Sequence, residues 1–443
     1  MLEVIKGLNS FFWGYLLIIL LVGTGIFFTL KLKFIQIREF KMGLKHLVNG
    51  FDLNGEDADH KGMSSFQALA TAIAAQVGTG NLAGAATAIV SGGPGAIFWM
   101  WFSAFLGMAT IYAEAVLGQI FKREVDGAVT GGPAYYIEKL FGGNKLAKGM
   151  AIFFAISCML SLGFMGNAVQ SNSIGVAFEN SFKIPTIVTG IIIAILAGFI
   201  FFGGVKRIVA FTEKVVPIMA GMYILICIVV IILNYNNILP ALSAIFTSAF
   251  TTKAMVGGFL GQGIRKAMRY GIARGLFSNE AGMGSTPHAH AMAKVKKPED
   301  QGHIAIVTVF IDTFVVLTLT ALVILTTSGK VENLTGISLA QQVFINTLGH
   351  FGGIFVAIAL FFFAFSTVIG WYLFGEANVR YLFGKKAINI YRIIVLICIV
   401  IGTTQKVDMV WELADLFNGF MVIPNLIALI GFNSLVKDTM VKN

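Results

Sequence analysis

Charge is scarce in this chain. Asp, Glu, Lys and Arg supply 12% of its 443 residues, about half the share of a soluble domain. So little charge cannot wet the surface of a water-soluble protein of this size. With 57% hydrophobic residues and a mean hydropathy of +0.83, the chain reads as an all-α polytopic membrane protein. Cysteine is scarcer still. Cys158, Cys227 and Cys398 all lie inside apolar runs, which argues for core packing and against a disulfide framework. No Gly-x-x-x-x-Gly-Lys-Ser/Thr phosphate loop occurs, so no nucleotide-driven motor is indicated. An enzyme would need a nucleophile with its base, or a metal cluster, and the few histidines and cysteines do not supply one. His288 and His290 are two apart and face different ways on a helix, which excludes them as a ligand pair. The N-terminus has no cleavable signal pattern, and its first apolar run is long enough to stay as a span.

Apolar runs make up most of the rest. A spanning helix needs roughly 20 apolar residues, and these runs are far too long for barrel strands. Eleven spans are predicted, at about 11–30, 64–90, 94–121, 148–177, 184–202, 205–233, 255–293, 302–327, 351–377, 388–403 and 410–435. A basic amphipathic connection containing Phe51–Gly55 follows the first. Surface helices are expected within 234–252 and at 339–348. With the N-terminus outside, 22 of the 32 Lys and Arg fall in cytoplasmic connections and 5 in external ones. That imbalance predicts a multi-pass protein of the plasma (inner) membrane with its C-terminus in the cytoplasm. The net charge of +10 is then a topology signal and implies membrane lipid, not nucleic acid, as its partner.

Two spans are interrupted. In the second, Gly78, Thr79, Gly80 and Asn81 break an apolar run near its centre. Glycine costs about 1 kcal/mol against alanine inside a helix. Unwound backbone at membrane depth is tolerated only where it is buried or lines a cavity. The freed N–H groups suit a carboxylate and the freed carbonyls a cation. Gly78, Gly80 and Gly84 equally suit tight helix pairing, and this stretch alone leaves both readings open. The seventh span is interrupted over 275–284, by Gly275, Gly282, Gly284 and the polar Ser278, Asn279 and Glu280; Pro287 then suits a restarting helix. Breaks at corresponding positions of two halves point to an inverted-repeat transporter with a midplane site. The two broken spans are five apart, an odd step, so they cross the membrane in opposite directions. A leader with its connection (1–63), two five-helix repeats (64–233 and 255–435), an external loop (234–254) and a cytoplasmic tail (436–443) follow from that reading.

Charges inside spans are candidates for function. Asp312 lies deep in the eighth span, where a carboxylate costs about 3 kcal/mol or more. It reads as a second cation or proton site, against polar packing as the alternative. Glu280 reads equally as a ligand for an amine or as a cap for unwound backbone. Glu114, Glu213 and Lys214 read as structural pairs. Ser366 and Thr367, adjacent hydroxyls among phenylalanines, suit either a hard cation or helix–helix hydrogen bonding.

The runs Gln76–Gly84, Gly92–Trp101 and Arg274–Gly284, with Ile311-Asp-Thr313, resemble the alanine or glycine:cation symporter family, which includes sodium:alanine symporters. The resemblance covers essentially the whole chain. It implies the leucine-transporter fold, a 5+5 inverted repeat preceded by one extra helix. It also implies sodium as coupling ion, no organic cofactor and a small neutral amino acid as substrate. In that fold Thr79, Gly80 and Asn81 would bind the substrate carboxylate, with Gln76, Gly78 and Asn279 alongside. Gly163, Phe164, Gln170, Phe277 and Trp371 would wall in its side chain. Ala74, Val77 and Phe363 would give carbonyls, and Ser366 and Thr367 hydroxyls, to sodium. Arg265, Lys266, Arg269 and Arg274 fit less well, since they fall in the external half of the seventh span.

Overall fold

The computed structural model describes residues 2–49, 62–251, 262–327 and 334–441. Phe51–Gly55, Lys253, Lys330, Lys442 and the expected start of the seventh span at 255–261 lie outside the described residues. Apart from one hairpin, β1 (Arg123–Val125) with β2 (Ala128–Thr130), the described regular structure is helical.

Helix α1 (Leu2–Lys31) is followed by the amphipathic α2 (Phe40–Asn49). The first broken pair is α3 (Ser65–Gln76) and α4 (Gly80–Gly92), bent by 47°. Ser64 starts α3 with a capping box: its Oγ accepts from Gln67 N at 3.1 Å, and Gln67 Oε1 accepts from Ser64 N at 2.9 Å. Then come α5 (Gly95–Ile120), α6 (Lys145–Phe182), α7 (Thr186–Phe201) and α8 (Gly204–Leu233). A surface helix α9 (Ile238–Phe250) precedes α10 (Gln262–Asn279) and the short α11 (Pro287–Ala291). The chain ends with α12 (Pro298–Thr326), the surface helix α13 (Gly336–Leu348), α14 (His350–Phe383), α15 (Ile388–Thr404) and α16 (Val407–Gly431).

Among the described residues, eight helices are long and apolar enough to cross a membrane, and nine if the bent α3–α4 pair is one span. Two expected spans fall short of that standard for different reasons. Helix α7 is apolar but has only 16 residues. Helix α10 carries Arg265, Lys266, Arg269 and Arg274 along 18 residues. The first break is centred on Val77–Thr79, and α4 resumes at Gly80, so it sits slightly earlier than Gly78–Asn81. The second differs more. Gly275 to Asn279 stay helical, and the unwound stretch is 280–286, later than the expected 275–284. Gly275 serves contact instead of unwinding: a Cβ there would meet Ser103 Oγ on α5 at 3.0 Å.

Four of the described helices carry wide π-type turns: Phe12–Leu16 in α1, Gly80–Gly84 in α4, Met159–Gly166 in α6 and Phe310–Leu317 in α12. Such turns displace side chains from α-helical register and gather at functional sites. Those of α4 and α12 carry Asn81 and Asp312, which meet across the two helices.

Helix α10 lies along α5 with its backbone unusually close. A Cβ at Gly271 would overlap the Ala96 carbonyl oxygen and reach Trp99 Cβ at 2.7 Å. Overpacking a formed contact costs about 1–3 kcal/mol. Gly271→Val should therefore lower the unfolding temperature in detergent, whereas Gly14→Ala, with nothing within 4 Å of its new methyl, should leave it unchanged. Equal melting of the two variants would show that α10 is not held by this contact.

Candidate functional site

The site is built where the two breaks meet α6, α12 and α14. After Gln76 the chain leaves helical geometry at Val77 (φ −81°, ψ 89°), which frees carbonyls of α3 and amides of the next residues. Gly78 N donates to Asn81 Oδ1 at 3.0 Å, and Thr79 N donates to Gln170 Oε1 on α6 at 3.1 Å. Both freed amides are thus met by neutral side-chain carbonyl oxygens. Gly78 must be glycine, since a Cβ would meet Gln170 Oε1 at 3.1 Å and the Thr367 hydroxyl still closer. Gly80 lets the start of α4 touch the end of α10: its Cβ would lie 3.0 Å from Ser278 Cα.

On the carbonyl side, five oxygens converge. Thr367 Oγ1 lies 2.9 Å from Ala74 O, 3.5 Å from Val77 O and 3.0 Å from Phe363 O. Ser366 Oγ lies 2.9 Å from Phe363 O and 3.5 Å from Ala74 O. Ser366 and Thr367 are fully buried. The sequence reading named these five residues, and the fold places them in one cluster.

Asp312 joins three elements. Its Oδ1 accepts from Asn81 Nδ2 at 2.7 Å, both its oxygens accept from Ser278 Oγ at 3.0 Å, and Oδ2 accepts from Thr313 Oγ1 at 2.8 Å. All these donors are neutral. Gln76 Nε2 donates to Asn279 O at 2.7 Å, and Asn279 Nδ2 to Thr313 Oγ1 at 3.2 Å, so the two breaks are also tied directly.

The second break turns through three left-handed residues: Glu280 (φ 59°), Gly282 (φ 89°) and Gly284 (φ 81°). Only the two glycines adopt this without strain. Glu280 is held there by its side chain, which accepts from the Trp371 indole N–H and from Ser285 Oγ. Trp371 packs edge-on to Phe277 (ring centroids 5.7 Å apart) and against Gly166. Gly163 and Phe164 instead contact Tyr391 on α15, with the Phe164 and Tyr391 centroids 5.7 Å apart.

Two cavities flank this centre. One, of about 580 Å³, is lined among others by Ala83, Thr87, Asn172, Arg274, Trp411 and Asp415. The other, of about 480 Å³, is lined by His288, Glu376, Arg380 and Arg392 at the opposite ends of the helices. Neither is lined by Gly78–Asn81, Ser366, Thr367 or Asp312.

This arrangement can be set beside known proteins. A family profile described as the sodium:alanine symporter family matches residues 1–442. The chain belongs to that family. The sodium/alanine symporter AgcS of Methanococcus maripaludis is 43% identical over 440 residues, covering 98% of this chain and 95% of the relative. The amino-acid carrier protein AlsT of Bacillus subtilis is 43% identical over 423 residues, covering 95% and 87%. Among solved structures, MhsT in complex with L-phenylalanine matches with a TM-score of 0.58 at 15% identity, covering 87% of this chain and 98% of MhsT. That likeness establishes the leucine-transporter type of fold. The chain is a membrane transporter, not an enzyme.

In this symporter family member the basic cluster of α10 gains a partial explanation. The Arg274 guanidinium donates to both oxygens of Asp415 on α16, with Nη1–Oδ1 at 3.2 Å, and lies 4.8 Å from the Trp411 ring centroid. The charge is neutralised beside the larger cavity. His288 and His290 are buried, with their Nδ1 atoms against Ser285 O and Gln301 Oε1.

Sequence reasoning missed what holds the second break. Among the described residues Glu114 pairs with no cation. Its carboxylate accepts from Gly282 N at 3.2 Å, Gly284 N at 2.9 Å and Asn425 Nδ2 at 2.6 Å. Asn425 also donates to Gly282 O at 3.0 Å. A charged residue in an otherwise apolar helix was the available signal. Its partners lie more than a hundred positions away, so spacing gave no hint of them. Glu114→Ala strands two buried amides, at about 1–3 kcal/mol each. It should lower the unfolding temperature clearly more than Glu114→Gln, which retains one acceptor. Equal melting of the two variants would refute this capping role.

Proposed function

We propose that this symporter carries a small neutral amino acid, alanine or glycine, into the cell with sodium, by alternating access. Eleven spans fit this reading: α1 as leader, then five and five, with α3–α4 and α10–α11 each counted as one broken span. In this reading the N-terminus is outside and the C-terminus cytoplasmic in the plasma membrane, the 580 Å³ cavity is external and the 480 Å³ cavity cytoplasmic. The observation that carries the proposal is the convergence of Ala74, Val77 and Phe363 carbonyls with the Ser366 and Thr367 hydroxyls. An all-oxygen set of carbonyls and hydroxyls suits a hard cation. Each positive charge entering is driven by about 2.3 kcal/mol per 100 mV, which supports accumulation without nucleotide. The substrate carboxylate takes the amides of the first break, replacing the amide oxygens of Asn81 and Gln170 that now accept from them.

A second coupling ion, or a proton in place of sodium, is the alternative, and it rests on Asp312. Its carboxylate is buried at the junction of both breaks and bound by neutral donors only, among the described hydrogen bonds. A buried charge of this kind is costly unless an ion or proton neutralises it.

Reconstituted liposomes separate these readings. Thr367→Ala removes one of five oxygens and should raise the sodium concentration for half-maximal alanine uptake about tenfold, the effect of roughly 1.4 kcal/mol. Asp312→Asn should change the pH or sodium dependence of uptake more than the affinity for alanine. Unaltered sodium dependence in both Thr367→Ala and Ser366→Ala would move the sodium site elsewhere. Normal pH and sodium dependence in Asp312→Asn would leave Asp312 a packing residue.

Backbone amides do not read a side chain, so size selection falls to the walls. Trp371 and Phe277 are the bulky pair. A methylene in a pocket is worth about 1–3 kcal/mol, so selection is graded. Trp371→Leu should weaken alanine and improve valine or leucine relative to it by about tenfold or more in competition assays. An unchanged size ranking would exclude Trp371 as the wall.

A further inference from the structure

We propose that the connection after α1 and the start of α12 form a site for one divalent metal ion of the zinc type, held by His46, Asp300 and His303. One ligand atom from each lies within 4.8 Å of the others. His46 Nε2 is 3.6 Å from Asp300 Oδ1, and the two imidazoles stack with centroids 5.8 Å apart and an interplanar angle of 11°. Asp300 and His303 are three apart on one helix, so their side chains share a face. His46 comes from the facing helix α2.

The local packing holds these groups together independently of any ion. Gly43, one turn before His46, sits directly on the His303 carbonyl, and a Cβ there would reach Val307 Cγ2 at 2.7 Å. Only glycine permits that approach, and it fixes His46 opposite His303. His303 is further wedged against the Tyr112 ring, with centroids 5.7 Å apart. Its Nδ1 is buried and without a hydrogen-bond partner, an exception to the rule that buried nitrogen is satisfied.

The donor chemistry selects the ligand. Two imidazoles and one carboxylate suit zinc and its first-row neighbours over calcium or magnesium, which want oxygen alone. Zinc-bound nitrogens and oxygens lie about 3.4 Å apart in a tetrahedron with bonds near 2.0–2.1 Å, so the trio must close by about an ångström. His46 and Asp300 have side chains 32% and 23% exposed and can make that adjustment. They line a cavity of about 510 Å³ that gives the ion entry and a place for a water as fourth ligand. Glu39 and Glu299 on its wall offset Arg38, Lys296 and Lys297 on the same wall. A bound ion would pin α2 to α12, outside the transport centre and separate from its sodium cluster.

The test uses the full-length protein in detergent, stripped with chelator and titrated calorimetrically with zinc chloride. A parallel titration with cobalt chloride is followed by its visible ligand-field bands. One zinc per chain and a tetrahedral cobalt spectrum are expected. His46→Ala and His303→Ala should each weaken zinc more than about tenfold, since even second-shell losses reach that size. The metal-free unfolding temperature of His46→Ala, whose side chain is partly exposed, should match the wild type. His46→Gln serves if His46→Ala misfolds. Absence of stoichiometric zinc binding to the wild type would overturn the proposal, as would affinity unchanged in both the His46 and His303 variants.

Discussion

Unwound backbone inside a bilayer must find partners within the protein, and this requirement organises the molecule. Each break frees amides and carbonyls that water cannot reach. At the first break the amides are met by Asn81 and Gln170, and the carbonyls of Ala74 and Val77 by Thr367. At the second the amides of Gly282 and Gly284 are met by Glu114, and the Gly282 carbonyl by Asn425. The two solutions differ in kind. A full carboxylate from α5 occupies the second break, while neutral amide oxygens occupy the first. The first break is held by one acceptor per amide, the second by a single side chain that spans both of its amides.

The breaks themselves were legible because glycine clusters in an apolar run have few other causes. Gly78, Gly80, Gly282 and Gly284 all perform the backbone roles their residue type suggests. The exact extent of the second break was not legible. Gly275 resembles a helix breaker in sequence, but its purpose is contact with Ser103 on α5, a tertiary fact. The spans α7 and α10 illustrate the limits of hydropathy in both directions: one is apolar yet short, the other long enough yet cationic. Pairing was legible only where a motif placed it. The Ser366–Thr367 cluster could be anticipated from the family resemblance, whereas Glu114 with Asn425 and Arg274 with Asp415 required the fold.

Arg274 shows why a charge in an interrupted span need not conflict with a membrane position. Its guanidinium is bound by a carboxylate and covered by the Trp411 ring, so no bare charge faces lipid. The pair joins α10 to α16 beside the larger cavity, whereas the Glu376, Arg380 and Arg392 cluster stands beside the other. Charged contacts therefore mark both approaches to a centre whose described ionisable side chains are the carboxyls of Glu114, Glu280 and Asp312.

The ties between the breaks have a mechanical consequence. Asn81 on α4, Ser278 on α10 and Asp312 on α12 meet at one carboxylate, and Gln76 reaches Asn279 beside them. Sliding any one of these helices by an ångström or so would stretch several hydrogen bonds past their working range together. The three helices are consequently geared into a single stiff body. Shape change in the molecule must then be absorbed where packing is smooth and unbonded, and a substitution that loosens Asp312 would let the parts of that body slip separately.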